Sequence, residues 1–420
     1  MKKTLSTLLC LVVSAIVLAA SKPGDPDFFP IMGWDVGAEF QGTFTVEFFQ
    51  EMADAGFNIA GIFAEEHWLR MIGQVDGLYC WAYLGKSNQT WQAHVEDDEA
   101  YAAAVAADLE SYRGLPGIYG YFVTDEPTAV HFPYLAKVTR ELNRQAPGTP
   151  WYLNLLPVTV NPRDLHADSY MDYVDRYITA CQPAWVGYDN YTLMEDGTLR
   201  ADHWQQLQEF REVTRRRGLP FQACVLATGH MNYRVPSEDD LFFQVYGALL
   251  YGAKGIQYFN YWPPARTNYR GAPVDQMGNK TQTWYHIKAV NDTVHNLAGI
   301  LNRLESTNVY HFQPGEPMPG ENPAPEDSIV LAPGDDAIAL AVGEFRDVTN
   351  GDRYVMLLNK NLKRSANLNN LQWRVKPATI QVCSPFKAGA YLPGAPSSFY
   401  GEDAFVAPGH AILLRLTFAE

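Results

Sequence analysis

Hydrophobic positions between residue 28 and about 306 alternate between two periods. Short β-type runs occur at Phe29–Gly33, Asn58–Phe63, Leu78–Tyr83, Gly117–Val123, Trp151–Leu155, Trp185–Tyr188, Phe221–Leu226 and Gly255–Asn260. Longer stretches with apolar residues three and four apart lie between most of them, around Thr45–Ala55, Asp98–Tyr112, Tyr134–Gln145, Ser169–Ala180, His203–Arg217, Glu238–Tyr251 and Thr283–Leu304. Gly56, Gly218 and Gly252 follow three of these stretches, where a helix needs a residue that tolerates a left-handed stop. Eight strands alternating with helices over this length predict a (β/α)8 TIM barrel. A dinucleotide-binding open sheet would need a glycine-rich turn after strand one, and Gly33-Trp34-Asp35 is not one.

The pattern changes after Ser306. Proline and glycine crowd Gln313-Pro-Gly-Glu-Pro-Met-Pro-Gly320, and short alternating runs follow at Ile329–Leu331, Ile338–Val342, Arg353–Asn359, Leu371–Val375, Ile380–Cys383 and Ala411–Leu416. Residues 28–306 are therefore expected to form the barrel, and 307–420 a small C-terminal antiparallel β-sandwich. At the other end, Lys2 and Lys3 precede an apolar run, Leu5–Ala20, that stops at small residues. Residues 1–21 read as a signal peptide, so the mature chain is expected to be secreted or periplasmic, without a membrane span.

Composition narrows the partners. A net charge of −15 argues against nucleic acid, which demands clustered Lys and Arg. Arg215, Arg216 and Arg217 form the one basic run, at a helix end where cations are favoured anyway. With 10 Trp, 24 Tyr and 21 Phe, the chain is rich in rings that stack on sugars, although many of them must fill core. The cysteines beyond the leader, Cys80, Cys181, Cys224 and Cys383, are widely spaced and read as buried free thiols. His67, His131 and His230 are scattered, so no metal or cofactor is expected. Oligomeric state leaves no mark in the sequence.

Reactive groups of such barrels sit at the C-terminal ends of the strands. Those ends carry Trp34 and Asp35; Glu65 and Glu66; Trp81 and Tyr83; Asp125-Glu126-Pro127; Asn154; Tyr188-Asp189-Asn190-Tyr191; Thr228 and His230; and Asn260 with Trp262. Carboxylates, amides and aromatics suit glycosidic cleavage, in which an acid protonates the leaving oxygen and an anion or nucleophile meets the oxocarbenium-like transition state. Glu126 is the candidate acid. The bland alternative makes Asp125 and Glu126 a cap for the following helix. Trp34, Trp81 and Trp262 are expected to line one cleft as sugar platforms.

Three segments carry a family resemblance: Phe29-Pro-Ile-Met-Gly-Trp34, Tyr119-Gly-Tyr-Phe-Val-Thr-Asp-Glu-Pro127, and Ala248 through Trp262. They look like secreted, β-galactosidase-like barrel glycosidases of the clan A type. The resemblance implies Glu126 as general acid/base, with Asp125 in place of that clan's asparagine. It also implies a nucleophilic Glu on strand seven, yet Phe221–His230 holds no acid. Three replacements are open: Asp189; Glu65 or Glu66; or substrate assistance, because Asp125-Glu126 resembles the Asp-Glu pair of family 20 hexosaminidases. In that last case Tyr188 or Tyr191 and Trp262 would line an acetamido pocket. A different class remains beside these, a carbohydrate-binding barrel without catalysis. In every case the expected partner is a carbohydrate, bound through Trp34, Asp35, Glu65, Trp81, Asn154, Tyr188, Tyr191, His230, Asn260 and Trp262.

Overall fold

The computed structural model describes residues 21–34, 44–63, 66–265, 268–392 and 401–419. The expected signal segment lies outside them but for Ser21, and so do Asp35 and Glu65.

Eight parallel strands close into a barrel in sequence order: β1 Ile31–Gly33, β2 Ile59–Phe63, β3 Tyr79–Tyr83, β4 Ile118–Asp125, β5 Trp151–Leu155, β6 Val186–Tyr188, β7 Phe221–Leu226 and β8 Ile256–Phe259. β8 pairs with β1 through Met32 and Gln257, which completes the ring. The helices are α1 Val46–Asp54, α2 Glu66–Ile72, α3 Gly85–Gln92, α4 Asp98–Ser111, α5 Phe132–Gln145, α6 Pro162–Leu165, α7 Tyr170–Cys181, α8 His203–Arg217, α9 Glu238–Leu250 and α10 Gln282–Leu301. The periodicity does not suggest α2 and α3. α2 is a short segment that begins in the polar pair Glu66-His67, and α3, Gly-Lys-Ser-Asn-Gln-Thr-Trp-Gln, has almost no apolar stripe to reveal it.

Local chemistry explains several boundaries. Thr45, Ser169 and Ser237 accept backbone N–H bonds at the starts of α1, α7 and α9, and Asp240 completes a reciprocal cap with Ser237. Gly56 takes φ +82 just past α1, and a Cβ there would lie 2.7 Å from Asn291 Cβ on α10. Strand alternation then sorts side chains into two layers. Met32, Trp34, Ile59, Trp81, Phe122, Tyr152 and Cys224 fill the barrel, while Val123, Leu153, Leu155, Tyr188 and Val225 pack outward on the helices.

The C-terminal part is antiparallel, as expected. β9 Leu304–Phe312, β10 Val330–Ala332, β11 Leu340–Asp347, β12 Arg353–Asn359, β13 Ala366–Asn367, β14 Gln372–Trp373, β15 Thr379–Cys383, β16 Tyr391–Leu392, β17 Phe405–Val406 and β18 Ala411–Thr417 follow the barrel. Six of them form one sheet in the order β16-β15-β18-β12-β11-β9, and two-stranded pieces β10-β14 and β13-β17 complete the second layer. β9 was not expected; it follows α10 almost without a linker. Along β12, Tyr354, Met356 and Leu358 join the core shared with the barrel, whereas Val355 and Leu357 join the sandwich core. Both faces of the sheet are buried, which is why this strand reads as an unbroken apolar run. All four described cysteines are buried. Among the described residues no helix is long and apolar enough to cross a membrane.

Candidate active site

β4 runs through Asp125, and Glu126 continues its ladder by donating its N–H to Asn154 O at 2.9 Å. Glu126 then turns with φ +47, a left-handed conformation rare for a residue with a side chain, and Pro127 leads the chain away. Such strain persists where the surroundings enforce it, often at functional sites. The pair does not cap a helix: α5 begins after His131, without a side-chain cap. The cap reading of Asp125-Glu126 is thereby set aside.

On β6 the alternation decides which residue enters the mouth. A Cβ on Gly187 would lie 2.7 Å from the Tyr152 hydroxyl, so Gly187 faces the barrel interior. Tyr188 therefore faces out, and it packs edge-on against Phe210 of α8, with ring centroids 4.6 Å apart. This corrects the assignment of Tyr188 to the substrate. Asp189, next along, returns to the inner side and hydrogen-bonds the Glu126 carboxyl.

The two acids share one environment. Loss of hydration at the mouth, then the negative charges of Asp189 and Asp125, and a hydrogen bond that protonated Glu126 donates to Asp189 push Glu126 up to about 7. The residue nevertheless stays open at the mouth, where a substrate can reach it. Burial pushes Asp189 up to about 6; the Asp125 charge adds to this, while hydrogen bonds from Tyr191 and Cys224 and the nearby Arg200 oppose it. Arg200 is held by Asp202 at 2.7 Å, by the Tyr233 hydroxyl at 2.7 Å and by Asn190. Two carboxyls in hydrogen-bond contact cannot both ionise readily, so they titrate as a pair that carries one proton between its two steps.

Around them stands an aromatic wall. Tyr191 packs edge-on against His230 at 5.2 Å and tilted against Phe259 at 5.0 Å. His230 is buried and stacks on Tyr269 at 5.1 Å; its Nδ1 lies 2.9 Å from Thr228 O, which requires a proton on Nδ1 and leaves Nε2 as an acceptor. Across the barrel, Tyr83 is half-buried beside Phe122.

The tryptophan platform is overturned. Trp34, Trp81 and Trp262 are only 7%, 0% and 3% exposed. Trp81 stacks on Trp185 at 5.5 Å, deep in the barrel, because its position on β3 points inward two residues below Tyr83. Trp262 packs on Phe44 and Phe48 at 5.3 and 4.9 Å beside α1. Two amide assignments fall for the same reason. Asn260 is fully buried and donates to Trp262 O at 3.1 Å. Asn154 is 2% exposed, with its oxygen taken by Tyr152 and its amide group by Asp125. Tyr152 and Gln257, which complete this buried network, had not been singled out. A polar residue in the middle of the otherwise apolar run Ile256–Phe259 was the available signal.

The geometry defines a class first: a (β/α)8 barrel followed by a β-sandwich, with acids gathered at the C-terminal ends of β4 and β6. No protein-family model matches the sequence, and no curated protein matches it. Solved structures share the fold. One is described as a glycoside hydrolase, 10% identical, covering 93% of each chain with a TM-score of 0.56. Another is a glycoside hydrolase family 5 structure from Bacteroides vulgatus, 11% identical, covering 93% of this chain and 89% of that one, with a TM-score of 0.54. At such identities the likeness establishes the architecture, including the β-domain.

Proposed function

We propose that this chain is a glycoside hydrolase in which Glu126 is the proton donor and Asp189 the second carboxylate. The observation that carries the reading is the gathering of Glu126, Asp125 and Asp189 at the ends of β4 and β6, where burial and the neighbouring negative charges raise Glu126 to about 7 and Asp189 to about 6. A general acid works best when its pKa lies near the working pH. Asp189, on β6, takes the part for which β7 has no acid. An inverting pair stands roughly 6.5–9.5 Å apart to admit water, whereas a retaining pair is closer, at about 5–5.5 Å. We take the retaining course, in which Asp189 is the nucleophile. The Glu126 proton passes to the glycosidic oxygen as the bond from the anomeric carbon breaks, and an Asp189 oxygen bonds to that carbon. Water then attacks the same carbon, gives its proton to Glu126 and releases Asp189. The shared fold with glycoside hydrolases and the basic, apolar N-terminal segment support an exported enzyme acting on a glycan outside the cytoplasm.

A 2-deoxy-2-fluoro glycosyl donor with a strongly acidic leaving group tests the assignment. Peptide mapping is expected to find the sugar on Asp189. Retention of configuration with no adduct would move the nucleophile to the substrate and make Asp125 its orienting residue. Glycan binding without any turnover would leave a carbohydrate-binding barrel.

A further inference from the structure

Beneath the acid pair, four buried hydrogen bonds cross the barrel in one direction. Trp34 Nε1 donates to Gln257 Oε1 at 2.8 Å, and Gln257 Nε2 donates to the Tyr152 hydroxyl at 2.6 Å. Tyr152 donates to Asn154 Oδ1 at 2.5 Å, and Asn154 Nδ2 donates to Asp125 Oδ1 at 3.1 Å. Tyr152, Gln257 and Asn154 are each no more than 2% exposed, so no competing solvent intrudes.

The direction is forced by the donor inventory. An indole N–H can only donate, so Gln257 must turn its oxygen to Trp34 and its amide group to Tyr152. The phenol then accepts from Gln257 and has its single proton left for Asn154. That fixes the Asn154 oxygen toward Tyr152 and its N–H toward Asp125. Either amide flipped would set donor against donor or acceptor against acceptor in a buried place, at a cost of about 1–3 kcal/mol for each orphaned group.

We infer that Trp34, Gln257, Tyr152 and Asn154 are positioning residues, a relay that holds Asp125 as an oriented carboxylate and thereby keeps the mouth's proton on Glu126 and Asp189. Hydrogen bonding to a carboxylate favours its charged form, and a charged neighbour favours protonation of the next acid. The inference deepens the role given above to Glu126, and its test does not depend on turnover. The other groups facing these acids are Asp189 from the end of β6, Cys224 from β7, Tyr173 from α7, and Tyr191 and Arg200 from the segment after β6. None of them belongs to the relay.

Tyr152→Phe breaks the chain at its centre and keeps the ring, which stacks on Trp185 at 4.7 Å and 6°. Asn154 then loses the bond that fixes its amide, so its N–H no longer holds Asp125 in place and the Asp125 charge is free to move away from Glu126. Carbon-13 NMR of the carboxyl groups is expected to show the Glu126 midpoint falling by about one pH unit. Trp34→Phe, at the far end, should shift it the same way by less, and it decides the matter if Tyr152→Phe does not fold. With a chromogenic glycoside, the alkaline limb of kcat/KM should move with the midpoint. An unchanged Glu126 midpoint in the folded variants overturns the relay. A wild-type protein that titrates as described but turns over no glycan sinks the glycosidase reading and leaves the relay standing.

Discussion

At Glu126, proton affinity couples activity to stability. The folded protein holds this proton between pH 4.5, the ordinary carboxyl value, and about 7, whereas the unfolded chain has released it. Because the native state binds more protons in that window, stability falls as pH rises through it and stays reduced above. Asp189 adds the same trend between 3.8 and about 6. Glu126→Gln removes the titration, so its urea midpoint should equal that of wild type near pH 4 and exceed it at pH 8. Equal midpoints at both pH values would show that Glu126 carries no raised affinity. Turnover should peak between about 6 and 7, declining above as Glu126 loses its proton and below as Asp189 gains one. A profile flat from pH 5 to 9 would contradict the pair. Glu126 was legible in the sequence because Asp-Glu-Pro at a strand end is an odd place to leave two acids. Asp189 was legible as one of three replacements for the missing β7 carboxylate. The fate of the tryptophans was not, because large rings serve equally as core and as platform, and only the inward packing of Trp81 and the helix-side packing of Trp262 separate the two.

At the scale of elements, β6 shows how a two-residue period assigns roles. Val186 and Tyr188 face the helices, and Gly187 leaves room for Tyr152 and Gln257 inside. Gly187→Ala would place its methyl within 2.7 Å of the Tyr152 hydroxyl and about 3.0 Å of Gln257 Nε2. Overpacking of this kind costs about 1–3 kcal/mol, and here it should also disturb the relay. Chemical denaturation should register the loss, and a variant as stable as wild type would show that the interior yields more easily than the contacts imply. Strands five and seven were read to the residue because each is a fully buried run between clear stops. The relay could not be read: Tyr152 and Gln257 lie 105 positions apart, and only barrel closure makes them neighbours.

For the whole molecule, the C-terminal sheet is part of one core. Gly343 of β11 approaches so closely that a Cβ there would lie 2.6 Å from Leu250 O at the end of α9. Met356, Leu358 and Leu413 belong to the same apolar cluster as the barrel's outer layer. Calorimetry should accordingly show a single cooperative transition. Two separate transitions would mean that barrel and sheet unfold independently. The change of pattern after Ser306 announces a β-domain, but β9 begins at Leu304, the residue at which the helical period of Thr283–Leu304 ends.

The central claim is that Glu126 supplies a proton to a departing sugar oxygen, and comparing two leaving groups tests it most directly. Glu126→Gln preserves the shape of the site and removes the proton. Cleavage of a natural, poorly acidic leaving group should fall by about 10²–10⁴. The first step on an aryl glycoside with a strongly acidic phenol should fall far less, because that group departs without protonation. Near-full activity of Glu126→Gln on the natural linkage would contradict the account.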